Sequence, residues 1–250
     1  MNRDKNSYTI IYASVMVIIV AVLLAFTSTA LKSRQQSNEQ IDKMQQMLRS
    51  INSDTPNKAD VKTNYRKLIK KELLITNDGS VVKEFTGDQI GNNEAFSMST
   101  DLEFKKILHA EEFKQDYKYQ LPVYVAEMDG KEYYILPLNG NGLWDKIWGF
   151  LSLDATDCST VFGGDFGNKG ETPGLGAEIS KKDFSDRFKG KHIFMDNQFK
   201  SIAVVKPGKK ADGQDYVDGI SGGTLTSNGV DKMLQTSLKP YVEFLNKNKK

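Results

Sequence analysis

The run Asp218-Gly219-Ile220-Ser221-Gly222-Gly223-Thr224-Leu225-Thr226-Ser227 is where residue type and spacing most plainly suit chemistry. The hydroxyls of Ser221, Thr224, Thr226 and Ser227 can each donate to an anionic oxygen, and the adjacent Gly222 and Gly223 let a bulky group approach the backbone. Val230, Met233, Leu234, Leu238, Tyr241, Val242 and Leu245 follow at helical spacing. The hydroxyl cluster therefore falls at a helix start, where unpaired N–H groups and the positive end of the helix dipole favour a phosphate. On chemistry alone, the same residues also suit an ordinary glycine turn and helix cap.

Two further runs could join such a site. In Gly170-Glu171-Thr172-Pro173-Gly174-Leu175-Gly176, Pro-Gly sets a tight turn and Gly176 opens the backbone to close approach. Thr172 adds a hydroxyl, and Leu175 an apolar surface suited to a planar ring. The run is not a dinucleotide fingerprint, because Ile179 stands where the last glycine would be needed. In Gly140-Asn141-Gly142-Leu143-Trp144, a glycine-rich turn precedes an indole. Taken singly, the first of these runs is also a plain loop and the second ordinary aromatic packing.

Asp218-x-x-Ser221-Gly222-x-Thr224 resembles the flavinylation motif of proteins that carry FMN as a phosphoester on a threonine hydroxyl. Gly223 stands where alanine is usual in that motif, a small-for-small change. Glu171-Thr172-Pro173-Gly174-Leu175-Gly176 resembles the hallmark run of the same FMN-binding family, in the family order. Gly142-Leu143-Trp144, with a single anchor, resembles the NqrC family of the sodium-translocating NADH:quinone reductases more than its paralogue, the RnfG family of the Rnf electron-transport complexes.

This resemblance implies that Thr224 is the attachment residue and that Asp218, Ser221 and Gly222 are recognition positions for a separate flavin transferase, which moves FMN from FAD. It implies that Trp144, Glu171, Thr172, Gly174, Leu175, Gly176, Ser221, Gly222, Gly223, Leu225 and Thr226 surround the cofactor. The implied role is that of an electron carrier among the other subunits of a bacterial inner-membrane reductase, which would themselves perform hydride chemistry and ubiquinone reduction. The large domain would then face the periplasm. The Rnf protein remains an alternative, as does an anchored module that binds a small ligand noncovalently and has no redox role.

The elements that must position these residues read as follows. Residues 8–31 carry no charge and are dominated by Ile, Val, Ala and Leu. As a helix they would extend about 36 Å, enough to cross a hydrocarbon core of about 30 Å, and too long for the apolar part of a typical signal peptide. A single transmembrane helix is expected there, after a short tail of residues 1–7. Arg3 and Lys5 before it, and Lys32 and Arg34 after it, give no decisive orientation bias. Residues 32–57 read as a helical leader and linker, with a capping box at Ser37 and Gln40 and a linker beginning at Asn52. Residues 58–250 are expected to form one mixed α/β domain of the α+β class with antiparallel hairpins, its FMN-binding core at about 115–245.

Asn77-Asp78-Gly79 and Asp129-Gly130 mark two hairpin turns. Short strands are expected at 148–153, 160–166 and 201–205, helices at 61–69, 181–188 and 231–245, and an irregular stretch at 87–101. Pro240 should divide the last helix. With 34 basic and 32 acidic residues, and no basic tract interleaved with aromatics, nucleic-acid binding is not expected. Cys158 is alone, and His109 and His192 are far apart, so neither a disulfide nor a metal centre is expected.

Overall fold

The structure, a computed structural model, describes residues 6–250. Arg3, Lys5 and most of the expected tail at 1–7 lie outside the described residues. The chain divides into two units, residues 1–43 and 44–250.

The first unit is carried by α1 (Asn6–Ser50), among the described residues the one helix long and apolar enough to cross a membrane. Its Ile, Val and Leu side chains from Ile10 to Leu24 are exposed, as an apolar solvent requires. The hydroxyls of Thr27 and Thr29 donate to the carbonyls of Leu23 and Ala25, each at 2.8 Å, so these polar groups are satisfied within the helix. The helix runs without interruption through Ser37 and Gln40, and the capping box read there is not used. The expected leader and linker at 32–57 straddles the division, and Met47, Leu48 and Ile51 are fully buried within the large unit.

The large unit is built on one antiparallel sheet. After α2 (Val61–Leu68) come β1 (Ile69–Thr76) and β2 (Val81–Thr86), then α3 (Glu94–Ser97) and α4 (Thr100–Glu112). Next are β3 (Gln120–Met128), β4 (Lys131–Asn141), β5 (Lys146–Asp154) and β6 (Val161–Asn168). The strand order is β2-β1-β3-β4-β5-β6. Asp129 and Gly130 take φ of 51° and 73°, the left-handed pair that a tight hairpin turn between β3 and β4 demands. The segment expected to be irregular, 87–101, contains a 3₁₀ turn at Gly87–Gln89, the one-turn α3 and the start of α4.

Beyond β6 lie α5 (Lys182–Ser185), β7 (Phe194–Met195), β8 (Gln198–Phe199), β9 (Ala203–Val205) and β10 (Tyr216–Asp218), the last two paired in parallel. The chain ends with α6 (Thr224–Leu238) and α7 (Val242–Asn248), divided by a 3₁₀ turn at Lys239–Tyr241 that contains Pro240. Strand alternation puts Leu136 and Leu138 of β4 into the main core with Val230, Met233 and Leu234 of α6. Ser237 of α6 fixes that packing: its Oγ accepts from the Asn139 amide at 3.0 Å and donates to the Asn139 carbonyl at 3.1 Å. The hydroxyl-rich start of α6 is thereby held at the end of β4, beside the β4–β5 turn.

Candidate functional site

Three segments far apart in sequence meet at a cavity of about 150 Å³. The β4–β5 turn supplies Leu143 and Trp144, and the loop after β6 supplies Glu171, Thr172, Leu175 and Gly176. The start of α6 and the turn before it supply Gly222, Gly223, Thr224, Leu225 and Thr226. The β4–β5 connection is tight because the Gly142 amide donates to the Asp145 carbonyl at 2.9 Å, which lifts the indole of Trp144 to the end of the sheet.

Glu171 binds the three segments together. It is 6% exposed; its Oε1 accepts from the Trp144 amide at 3.0 Å and its Oε2 from the Thr226 hydroxyl at 2.5 Å. Gly176 packs against this pair, and a Cβ there would stand 2.5 Å from Glu171 Oε2. Any side chain at this position would drive the carboxylate and Thr226 apart. Glu171 and Thr226 thus line the cavity, but their polar atoms are engaged with each other and with the Trp144 backbone.

The four hydroxyls of the motif have different fates. Thr226 is buried and donates to Glu171. Ser227 is also buried; its Oγ accepts from the Ile220 amide and donates to the Gly223 carbonyl, both at 2.9 Å. Ser221 is exposed and lines a different depression, with Asp218, on the other side of the turn. Gly222 makes that separation possible through a left-handed φ of 75°. Thr224 is exposed and lines the cavity, and its hydroxyl makes no hydrogen bond among the described residues.

The site's electrostatics come from the backbone. Glu171 is the one charged side chain among the lining residues described, and it is an anion spent on internal hydrogen bonds. Gly223 occupies the N-cap position of α6 and offers no side-chain cap. The first amide bonded back toward the helix is that of Ser227, to the Gly223 carbonyl. The amides of Thr224, Leu225 and Thr226 precede it, at the positive end of a 15-residue helix. An anion entering this cavity meets N–H groups and a dipole, with no lysine or arginine among the described lining residues.

An apolar rim surrounds the cavity mouth. Trp144 is 69% exposed, Leu225 59%, Leu143 48% and Leu175 43%. Large apolar side chains clustered this way mark a surface that meets a ligand or another protein. Leu143 and Ser227 were not expected in these roles. Leu143 was legible from its place beside Trp144, whereas nothing local distinguishes Ser227 from its exposed neighbour Thr224. Gly174 carries its left-handed φ of 77° at an exposed position, where its amide donates to Glu178 Oε1 at 3.1 Å. It shapes the loop without lining the cavity.

The family of FMN-binding domains matches residues 142–239, a span that takes in all three segments. The chain is 30% identical to the NqrC protein of the Na(+)-translocating NADH-quinone reductase of Haemophilus ducreyi, over 92% of this chain and 88% of that one. Among solved structures, the corresponding protein of the same reductase from Parabacteroides distasonis superposes with a TM-score of 0.72 at 50% identity, covering 86% of this chain and 96% of that one. NqrC of Shewanella oneidensis, at 22% identity and a TM-score of 0.60, shares the fold over 84% of this chain and 99% of that one.

Proposed function

The chain belongs to the NqrC family of the Na(+)-translocating NADH-quinone reductases, and from that premise we propose that it holds FMN covalently on Thr224 and passes electrons between partner subunits of such a complex. The observation that carries this reading is the fate of the four hydroxyls. Of these four, Thr224 alone combines exposure, an unengaged hydroxyl and a place on the cavity wall, and unlike Thr172, which also lines the cavity, it stands at the start of α6.

The residues present fit the group. A phosphate on Thr224 Oγ1 would lie at the start of α6, where the leading amides and the helix dipole favour negative charge. Phosphate sites that rely on affinity commonly recruit lysine or arginine. None lines this cavity among the described residues, so a covalent tether is the economical way to keep the anion in place. At about 150 Å³ the cavity is smaller than the roughly 300–1,000 Å³ of a typical ligand pocket. A flavin ring would therefore extend over the exposed rim of Leu143, Trp144, Leu175 and Leu225. A ring held there is open to other subunits, as a carrier requires.

FMN, when bound, supplies one- and two-electron redox chemistry. The work of this chain is to hold and orient it. Glu171 keeps the Trp144 turn and the start of α6 in register, and the apolar rim shields one side of the site from water. Attachment by a flavin transferase would join Thr224 Oγ1 to the FMN phosphorus of FAD. The pyrophosphate bond would break, AMP would leave, and the hydroxyl proton would pass to a base on the transferase. The apolar part of α1 would anchor the chain in the inner membrane. The large unit would lie on the periplasmic side, which protease added to intact spheroplasts reads directly.

Intact-mass analysis of the chain co-produced with a flavin transferase tests the attachment. The wild type should gain the mass of one FMN and show in-gel flavin fluorescence. Thr224→Ala should lose both, with thermal stability unchanged because its hydroxyl holds nothing else. An unmodified wild-type mass, or a Thr224→Ala chain that still carries flavin, would sink the proposal.

A further inference from the structure

Between Asp218 and Thr224 the chain carries Gly219, Gly222 and Gly223, so a turn left unpinned here would sample many backbone conformations. The turn is pinned from three directions. From α6, Ser227 Oγ accepts from the Ile220 amide and donates to the Gly223 carbonyl. From β9, the Val205 carbonyl accepts from the Gly219 amide at 2.7 Å. From the 3₁₀ turn at Asp186–Phe188, Arg187 Nη1 donates to the carbonyl of Asp218 at 2.7 Å and to that of Gly219 at 3.2 Å. Arg187 is the one charged side chain among these pins, and hydrogen bonds from a charged donor are the stronger kind.

The arginine is itself firmly seated. Its guanidinium carbon lies over the Phe184 ring, 5.5 Å from the centroid. Phe184 is buried and packs against Phe166 of β6 and against Phe188, with ring centroids 5.4 Å away in each case. The neighbouring carboxylate of Asp186 is taken by Lys182 at 2.9 Å and by Lys189 at 2.8 Å, so it does not draw Arg187 aside. Arg187 takes the backbone of Asp218 and not its carboxylate, which accepts from the Gly208 amide at 3.4 Å on an exposed residue.

We propose that Arg187 is a positioning residue for flavin attachment: it ties the turn before Thr224 to the aromatic packing at Phe184 and so fixes where the Thr224 hydroxyl stands when the transferase engages the motif. The inference rests on the covalent-carrier reading and adds to it a residue outside the motif. Arg187 does not line the Thr224 cavity, so it acts through the backbone of residues 218–223. Recognition through the exposed side chains of Asp218 and Ser221 does not need the guanidinium. Alignment of Thr224 Oγ1 on phosphorus does, and a misplacement of about 1 Å can slow a reaction about a hundredfold. The loss of Arg187 therefore falls on kcat for attachment and spares KM.

The test uses the flavin-free full chain in detergent with FAD and the transferase, and measures initial rates of FMN attachment against chain concentration. Arg187→Met keeps an apolar stem beside Phe184 and removes both hydrogen bonds. It should lower kcat about tenfold with KM for the chain unchanged, and speed amide hydrogen exchange in the peptide that carries residues 218–224. Arg187→Lys, whose ammonium can still donate to these carbonyls, should recover kcat to within about threefold of wild type. The thermal midpoint of both variants should stay close to that of wild type, because Arg187 is exposed. A raised KM with kcat unchanged would overturn the inference by assigning Arg187 to direct contact with the transferase. Unchanged kcat and hydrogen exchange in Arg187→Met would overturn it too, as would a fall in kcat that only tracks a loss of thermal stability. A wild type that takes no FMN removes the carrier reading itself, an outcome distinct from these.

Discussion

The two faces of the sheet are held in different ways. The face under α6 is apolar: Leu136, Leu138, Leu151 and Phe166 from the strands meet Val230, Met233, Leu234 and Leu238 from the helix, with the site at the edge of that packing. The opposite face is covered by the end of α1, by α2 and by α3, and it carries buried polar groups. Glu72 is fully buried there, accepts from the Tyr65 hydroxyl at 2.6 Å and from the Gly91 amide at 3.1 Å, and also pairs with the Asn93 side chain. Burial, with Glu72 beside it, pushes the Tyr65 hydroxyl well above its ordinary pKa. Asp165 receives a two-pronged pair from Arg49, each bond 2.9 Å, and Ser152 Oγ donates to the Ser50 carbonyl at 2.6 Å. Apolar packing tolerates small shifts, but hydrogen-bonded nodes do not. The polar face therefore specifies one seating for residues 44–50 of α1, and the apolar face gives α6 a firm bed from which its first turn can project.

The largest expected effect tests the polar face. Glu72→Ala leaves the Gly91 amide without its acceptor, and leaves the Tyr65 hydroxyl only the Met47 sulfur and the Asn93 side chain only the Gln89 carbonyl; it should cost about 3–5 kcal/mol in denaturant unfolding. The folded fraction should still accept FMN on Thr224, since the node lies across the sheet from the site. A loss below about 1 kcal/mol would mean that this face is held by its apolar contacts after all.

Glu171 is the counterpart on the other side, and it should separate function from stability. Glu171→Ala removes the acceptor for the Trp144 amide and the Thr226 hydroxyl at a cavity that water can enter. It should cost about 1–3 kcal/mol, less than the Glu72 change, while cutting the yield of flavinylated chain more sharply. Glu171→Gln offers a rescue. Its amide oxygen can still accept from Trp144, and its NH₂ can donate to a Thr226 hydroxyl that turns round. Stability and flavin yield should both return toward wild type. A glutamine variant as poor as the alanine one would show that the charge, and not the geometry, matters at this position.

A pH titration probes the polar face at finer scale. Burial lifts the Asp165 carboxyl above its ordinary value, against the opposing pull of Arg49. The folded state then binds this proton more readily than the unfolded state. The resulting stabilisation is complete below the unfolded pKa of about 3.9 and is lost as pH rises through the folded value. Asp165→Asn abolishes that slope, so wild type should lose stability relative to the variant across this window. Parallel stability curves for the two chains would remove Asp165 as a titrating group.

What the sequence disclosed divides along the same line. The hairpin at Asp129 and Gly130, the helix after the hydroxyl cluster and the break at Pro240 were legible because each depends on local dihedral preference or spacing. The runs at 142–144, 171–176 and 218–226 were legible because each is contiguous, and the fold brings all three to one region. Three things were not legible. The engagement of Glu171 with Thr226 joins residues 55 apart in sequence, and nothing local marks either as a partner of the other. The exclusion of Ser221 from the cavity follows from one dihedral at Gly222. The α4 helix went unread because Leu102 and Leu108 are exposed while Phe104 and Ile107 are buried, which blurs the periodicity. The burial of Glu72 was out of reach for the same reason as the Glu171 pair: its donors come from α2 and from the loop before α3.

The smallest expected effect concerns Gly223, where the resemblance calls for alanine. The residue has φ −108° and ψ 38°, so no left-handed backbone requires glycine there. A Cβ would stand 3.2 Å from the Cβ and Cγ2 of Ile220 and 3.3 Å from the Gly176 amide nitrogen. These contacts are tight, and a shift of a few tenths of an ångström in the Ile220 side chain relieves two of the three. The third sets a limit, because Gly176 is held in place by the Glu171–Thr226 pair behind it. Against that strain, alanine lowers the chain entropy of the unfolded state. The two terms are similar in size, so Gly223→Ala should change stability by less than about 1 kcal/mol in either direction. Flavin attachment should proceed at the wild-type rate. A loss of several kcal/mol would instead mean that the loop at 171–176 cannot yield at Gly176. The apolar face would then be as exacting at its edge as the polar face is at its centre.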